Sequence, residues 1–205
     1  MAKIKLTKGE LKRQRDALKQ YERYLPTLQL KKQQLQLEIL QQANLLAEKD
    51  QQEEKKRQSI KSWIGLLAES EMDIKPWLVP SGIVSSKKNV AGVDIPVFES
   101  ADFIEPEYDL FSTPFWVDFA IEALRNMVSL VAEIKVIEQG IIILKQELRI
   151  ATQRVNLFEK VKIPDAREAV RRIKIYIGDQ MANAVGRSKM AKRKIEKAAL
   201  EGAAV

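Results

Sequence analysis

The chain has 205 residues, of which 31% are charged and 45% apolar, with eight glycines and seven prolines. This composition favours one long-helix body over a compact sandwich or a disordered chain. The sequence contains neither cysteine nor histidine, which excludes thiol nucleophiles, disulfides, zinc sites with nitrogen or sulfur ligands, and imidazole general bases. We therefore predict a non-catalytic protein with no metal and no cofactor.

The net charge of +7 is distributed unevenly along the sequence. The first 20 residues hold seven Lys or Arg against two acids, and the stretch 187–201 holds six against two. Residues 94–110 hold six acids and no base. No apolar run approaches the roughly 18 residues of a membrane span, and the N-terminus is Lys-rich rather than apolar. We predict a cytoplasmic protein with basic termini and an acidic middle, whose membrane association comes through partners.

A long first helix is predicted over residues 8–75, within an N-terminal segment 1–75. Thr7 and Glu10 have the spacing of a capping box, in which hydroxyl and carboxylate both accept from backbone donors. Pro26 should bend the helix, and the Gln/Glu/Lys run 47–59 should weaken its seam. The apolar residues of that seam recur with the spacing of a coiled coil, at Leu11, Leu18, Leu25, Ile39, Leu46, Ile60, Leu67 and Ile74, and three residues after some of these at Tyr21, Leu28, Leu35 and Trp63.

The middle segment, 76–112, has strand and turn signals instead of helical spacing. Pro76 is predicted to end the first helix. Two short strands are expected at 82–86 and 93–98, with the turn at either 87–89 or 91–92. Pro96 suits an edge position. Because an isolated two-stranded hairpin is marginal in water, this lobe should lie against a helix.

The second helix is predicted to start at Ser112-Thr113-Pro114 and to occupy the segment 113–205, with a kink near Pro164. A second apolar stripe (Val117, Ile121, Leu124, Val128 and Val131) lies on a neighbouring face, so the helix must be covered on more than one side. The predicted fold is mainly α, a long antiparallel two-helix coiled coil with a β-hairpin lobe, forming one structural unit. The seam of the second helix comprises Met127, Leu130, Ile134, Ile137, Ile141, Leu144, Leu148, Ala151, Val155 and Phe158.

Several stretches together resemble a known family. They are Lys-Leu-Thr-Lys at 5–8, Leu-Pro-Thr-Leu-Gln-Leu-Lys-Lys at 25–32, Ser-Lys-Lys-Asn-Val-Ala-Gly-Val-Asp-Ile-Pro at 86–96, Ile-Pro at 163–164 and Ile-Lys-Ile-Tyr-Ile-Gly-Asp-Gln at 173–180. In this order, and with a basic terminal helix, they resemble the D subunit, the central rotor stalk of V-type and archaeal-type rotary ATPases. The likeness covers nearly the whole chain and is closer to bacterial members.

The resemblance implies a shaft whose terminal helices enter the hexamer of catalytic and regulatory subunits. Its lower part would hold the small F subunit of the stalk and dock on the funnel-like subunit above the membrane ring. Torque would pass between ATP hydrolysis or synthesis and the translocation of protons or sodium ions. Such a shaft is present as one copy per complex, on the cytoplasmic face of the membrane, without membrane insertion and without direct nucleic-acid contact.

Two groups of residues are candidates for partner contacts. The bases near the two termini could slide on acidic or carbonyl-rich surfaces inside the hexamer, or could simply be solvated helix ends. The apolar run around residue 142 could hold a companion subunit or could seat the hairpin lobe. The first group comprises Lys8, Lys12, Arg13, Arg15, Lys19, Arg187, Lys189, Lys192 and Arg193, and the second comprises Ile141, Ile142, Ile143, Val128 and Val131.

Other functions are less compatible with the sequence. No phosphate-binding Gly-rich loop is present, and the carboxylates Glu105 and Glu107 fit a solvated acidic loop better than a cation site. A basic coiled coil could bind nucleic acid, with strong salt dependence, although the acidic middle would repel phosphates. A homodimeric scaffold, in which the long helices pair with a second copy, is a further alternative.

Overall fold

The computed structural model describes residues 5–65, 74–106 and 113–202, and it confirms a mainly helical fold with a central β-hairpin. The sheet has two antiparallel strands. A π-helical turn joins the last two helices without a break. In chain order the elements are α1 (Lys8–Lys61), α2 (Lys75–Leu78), β1 (Pro80–Val90), β2 (Val93–Phe103), α3 (Trp116–Leu157), the π-helical turn (Phe158–Lys162) and α4 (Ile163–Gly202).

Helix α1 begins with half of the predicted capping box. The Thr7 hydroxyl accepts the Glu10 backbone N–H at 3.3 Å, and the Thr7 carbonyl accepts the Leu11 N–H at 3.0 Å. The Glu10 carboxylate instead accepts the side-chain amide of Gln14 at 2.7 Å. The hydroxyl half of the prediction is therefore confirmed. The carboxylate half is wrong, because the Glu10 carboxylate binds Gln14, one turn further along the helix, and does not reach back to the Thr7 N–H.

Helix α1 ends at Lys61, although the sequence predicted a helix to residue 75. The Ile60 carbonyl accepts the N–H groups of both Trp63 (3.1 Å) and Ile64 (2.9 Å), so the ladder closes into a turn there. Pro76 lies in the first turn of α2, where its missing N–H costs nothing, rather than at the end of α1. Residues 66–73 and 107–112 lie outside the described part of the chain, which leaves Leu67 and Ser112 without an outcome.

The hairpin turns at Ala91–Gly92, the second of the two predicted positions. Both residues have positive φ, 52° and 76°, as a two-residue type I′ turn requires. The Asn89 side-chain oxygen accepts the Gly92 N–H at 3.1 Å, and its amide donates to the Asp94 carboxylate at 2.5 Å. These bonds stabilise a conformation that costs Ala91 about 1–2 kcal/mol. The strands, 11 residues each, are longer than predicted.

Contacts divide the chain into two units. One unit combines the two ends of the sequence, and the other is the continuous middle, which includes the hairpin. Unit 1 comprises Met1–Gln29 and Gln153–Val205, and unit 2 comprises Leu30–Thr152. The predicted division at residues 75 and 112 follows the order of elements along the chain, whereas the division by contacts follows which helices pair.

In unit 2, α1 and α3 pair antiparallel and the hairpin packs on both. Lys49 of α1 binds Glu133 of α3 at 2.7 Å, and the core joins the two helices to β2 through Leu35, Val93, Ile95, Leu144 and Ala151. Burying each large apolar side chain contributes about 1.5–3 kcal/mol. In the predicted weak stretch 47–59 every side chain is exposed or only half-buried.

In unit 1, the start of α1 pairs antiparallel with α4. Glu22 binds Arg167 at 2.8 Å, and the rings of Tyr21 and Phe158 meet edge to face with centroids 5.3 Å apart. The residue before α1, Thr7, shares a groove with residues 176–187 of α4.

The predicted α3 seam is confirmed by burial. Leu130, Ile134, Ile137, Ile141, Leu144, Ala151 and Val155 are buried, and Met127, Leu148 and Phe158 are half-buried.

Candidate partner-binding surfaces

All nine candidate bases near the termini are exposed, and the structure brings two of them to one groove. Lys8 and Arg187 line the same groove of about 1030 Å³ in unit 1. Lys8, Lys12, Arg15 and Lys19 recur every three or four residues and so share one face of α1. Lys189, Lys192 and Arg193 lie further along α4. Within the described chain, Lys192 is the one member of the set with an ion pair, a loose 3.7 Å contact with Glu196.

The second half of α4 carries an exposed apolar stripe that was not predicted as a site from the sequence. Every side chain from 178 to 199 is exposed, including Met181 (52%), Val185 (57%) and Ile195 (69%). Ala184, Ser188 and Ala191 continue the line of Ile173 and Ile177, which face α1. Thr7 and Lys8 share their groove with residues of α4 up to Arg187, so residues 188–199 of α4 continue beyond it. We name residues 181–199 the α4 end.

The apolar run on α3 splits into a buried and an exposed part. Ile141 is 7% exposed and lies in the seam with α1, because it follows Ile134 and Ile137 at coiled-coil spacing. Ile142 is 64% exposed and Ile143 is 36% exposed. Ile141 therefore drops out of the candidate companion-binding surface.

Val128 and Val131, from the same candidate set, are both half-buried. Val128 lines an apolar cleft of about 290 Å³ with Ile60, Ile64 and Leu78. They can form the edge of a surface, but not its most accessible part.

The outer face of α1 carries exposed leucines in unit 2. Leu30, Leu37 and Leu40 are each more than half exposed. Leu35 and Ile39, which face the hairpin and α3, lie on the opposite side of the helix. The seam pattern of the first helix does not indicate this surface, because the three leucines lie outside its heptad spacing.

An aromatic hollow lies where the end of α1 meets the start of α3. Trp63, Trp116, Phe119 and Ala120 line a hollow of about 390 Å³, and Phe119 is largely exposed. Phe115, one residue before α3, is 93% exposed. Exposed aromatic surface of this kind is typical of a contact with another protein.

The hairpin is fixed to α1 by a charged cluster around Glu38. The Glu38 carboxylate accepts from the Gln42 amide at 2.9 Å and from the Lys88 ammonium of β1 at 3.0 Å. The Gln42 hydrogen bond lowers the pKa of Glu38, partial burial raises it, and Lys88 lowers it further, so that the pKa is below its ordinary value.

Arg125 of α3 fixes the other end of the hairpin. Its Nε donates to the Trp77 carbonyl at 3.0 Å, and Nη2 donates to the Ile104 carbonyl. The guanidinium also lies 5.3 Å from the centre of the Phe103 ring. One side chain thus holds the chain both before β1 and after β2, a role that no local sequence signal indicated.

The described residues contain no cluster of three or more carboxylates placed to hold a metal ion. Among the described residues, none of the helices combines the length and the mean hydropathy of a membrane span. Glu105 is exposed, as a solvated loop residue would be, and Glu107 lies outside the described part. What the surfaces have in common is exposed apolar area on long paired helices, which is typical of a helical protein that contacts other chains.

The chain belongs to the ATP synthase D subunit family, whose model matches residues 10–193. A relative from Borreliella burgdorferi, the D subunit of its V-type ATP synthase, is 45% identical over 197 residues, covering 96% of this chain and 97% of the relative. Proteins of the same name from Chlamydia abortus and Chlamydia trachomatis are 35% and 31% identical, and each alignment covers 95% of this chain. These matches confirm the resemblance to the D subunit, with its central-stalk assignment.

Proposed function

We propose that this chain is a rotor shaft without catalytic activity of its own. It transmits torque between ATP hydrolysis or synthesis in a hexamer of catalytic and regulatory subunits and ion translocation in a membrane ring. One observation supports this most directly: the α4 end is amphipathic and exposed, and it continues past the residues that line the groove with Thr7 and Lys8. A helix with an uncovered apolar stripe needs a partner surface.

The α4 end and the nine bases are assigned to the inner surface of the hexamer. The stripe is narrow and contains the small residues Ala184 and Ala191, and long bases surround it. Contacts of this kind are shallow and spread over many residues. A deep anchor worth several kcal/mol would hold the shaft at one angle, so a surface without one suits rotation.

The remaining surfaces are assigned to the other partners. Ile142 and Ile143, with Val128 and Val131 at their edge, form the surface for the small F subunit of the stalk. The aromatic hollow around Trp116 and Phe119 fits the funnel-like subunit, because its exposed apolar area suits a lasting contact better than a sliding one. The chain would then lie on the cytoplasmic face of the membrane as a single copy.

Rotation can be observed with a single label, because the chain contains no cysteine. Lys87 is an exposed residue of β1, and Lys87→Cys provides one attachment point for a bead. The hexamer of catalytic and regulatory subunits is immobilised with the labelled chain assembled in it. ATP should produce stepwise rotation of the bead in one direction, and a non-hydrolysable ATP analogue should produce none.

A bead that stays at one angle while the complex hydrolyses ATP would contradict the rotor role. A chain truncated after Arg187, which keeps every residue of the groove around Thr7 and Lys8 but lacks most of the α4 end, serves as the matched variant. It should bind the hexamer more weakly and rotate less persistently. Binding of the free chain to DNA with steep salt dependence would instead support the nucleic-acid alternative.

A further inference from the structure

The seam of α3 and α4 contains one residue more than a regular heptad pattern allows. Leu144, Ala151 and Val155 are buried at coiled-coil spacing, and Phe158 follows half-buried. An unbroken heptad pattern would next place Lys162, Asp165, Ala169 and Arg172 against α1. Of these four only Ala169 is buried. The other buried residues are Ile163, Ala166 and Ile173, each one position later than the heptad pattern predicts, and Val170 at the remaining shifted position is half-buried.

The π-helical turn absorbs this extra residue. The Ile163 N–H donates to the carbonyl of Phe158, five residues earlier instead of four. A single π turn is the usual way in which a helix accommodates an inserted residue while continuing in the same direction. Pro164 follows directly and has no N–H to donate, so an α-helical ladder would be incomplete here in any case.

Helix α1 also lacks one backbone hydrogen bond, at the same level of the helix pair. Pro26 cannot donate to the Glu22 carbonyl. The contacts of Tyr21 with Phe158 and of Glu22 with Arg167 place this part of α1 beside the π-helical turn and the first turn of α4. Both helices therefore lack regular backbone hydrogen bonds at one level of unit 1.

Packing at this level is also thin. No residue of the π-helical turn is buried, and Val161 is 44% exposed. Its main described contact with α1 is the edge-to-face pair of Phe158 and Tyr21. Segments with few buried contacts and irregular hydrogen bonds open at low free energy.

We propose that residues 21–26 and 158–164 form a hinge, a level of the helix pair at which bending and twisting are concentrated. Its use rests on the proposed rotor function: a shaft that is softer at one level can store twist during one catalytic step and return it in the next. The extra residue and the two prolines are the sequence features that lower the resistance of this level to bending and twisting. We therefore expect a chain without the extra residue and these prolines to be more stable.

The test is a variant that lacks Val161 and carries Pro164→Ala. The deletion brings Ile163, Ala166 and Ile173 onto heptad spacing after Val155, so the same residues keep facing α1. Pro164→Ala alone is the matched control, because it keeps the extra residue. In the isolated wild-type chain, hydrogen exchange of amides 159–165 should be about tenfold faster than that of 150–156, and the double change should remove most of this difference.

The second measurement uses the assembled complex stalled without ATP, with a bead attached through Lys87→Cys. The double change should narrow the angular fluctuations of the bead, and Pro164→Ala alone should narrow them less. Wild-type amides 159–165 that exchange as slowly as 150–156, or fluctuations that the double change leaves as wide as in the wild type, would overturn the hinge. The exchange measurement needs no rotation, so it decides the hinge even where the rotor role fails.

Pro26→Ala provides a second route if the deletion variant does not fold, as judged by circular dichroism. It restores one hydrogen bond in α1 and leaves the helical register unchanged. Exchange at 22–30 and at 159–165 should both slow, because the two stretches lie against each other. Slowing at 22–30 alone would show that the two gaps are independent, and it would overturn a hinge shared by both helices.

Discussion

At the residue scale, Glu38 makes the attachment of the hairpin sensitive to acid. Its pKa is lowered in the folded chain by the Gln42 hydrogen bond first, and by Lys88. An unfolded glutamate titrates near pH 4.3, so the folded chain binds fewer protons than the unfolded one in this range. The stabilisation by Glu38 is complete above about pH 4.3 and is lost as the pH falls through the lower folded value.

We predict that Glu38→Gln flattens the acid limb of stability. Urea unfolding followed by circular dichroism from about pH 6 to about pH 3 should show a smaller loss of stability for the variant than for the wild type. Glu48→Gln, an exposed position on the same helix, is the control for a change of charge alone. Equal acid dependence in Glu38→Gln and the wild type would contradict this prediction.

At the scale of elements, Arg125 joins α3 to both ends of the hairpin. Hydrogen bonds from a charged donor contribute about 1.5–3 kcal/mol each, less where solvent competes. Arg125→Ala leaves the Trp77 and Ile104 carbonyls without this donor and should lower the free energy of unfolding by about 2 kcal/mol. Arg125→Lys should recover little, because an ammonium cannot reach two carbonyls as the guanidinium fork does.

The measurement is urea unfolding together with hydrogen exchange at the strand ends. Amides near Pro80 and Phe103 should exchange faster in Arg125→Ala, while those near the Ala91–Gly92 turn should not change. Arg149→Ala, an exposed arginine further along α3, should change neither quantity. A loss of stability spread evenly over β1 and β2 would argue against a local tether.

The elements that could be predicted from the sequence are those set by periodic burial. The α3 seam follows from apolar spacing and is present. Turn chemistry allowed two positions for the hairpin turn, and the structure has the second, Ala91–Gly92. The end of α1 at Lys61 could not be predicted in this way, because it depends on which donors share the Ile60 carbonyl. Arg125 was missed because its acceptors are 48 and 21 residues away in the sequence.

The π-helical turn is a different case, because its signal was present in the sequence. Val155 and Ile163 are eight residues apart, where a heptad requires seven. Pro164 predicts a kink by itself, but the extra residue becomes visible only when the seam is compared on its two sides. Among the candidate site residues, exposure separates Ile142 from Ile141, and this distinction depends on the partner helix rather than on local composition.

At the scale of the whole molecule, the free chain and the assembled chain should differ most at the α4 end. Residues 163–177 of α4 include Ile163, Ala166 and Ile173, all buried within unit 1. From 178 to 199 every side chain is exposed. A helix without packing is marginal in water, because its stability comes mainly from covering its apolar face.

We therefore predict that amides 181–199 exchange rapidly in the isolated chain and slowly in the assembled complex, while amides 163–177 stay protected in both. Hydrogen exchange with mass spectrometry of the two states measures this directly. The hairpin amides between Pro80 and Phe103 serve as an internal reference. Slow exchange of 181–199 in the free chain would mean that a second copy covers the stripe. A solution mass of twice 23.4 kDa would then favour the homodimeric scaffold over a single-copy shaft.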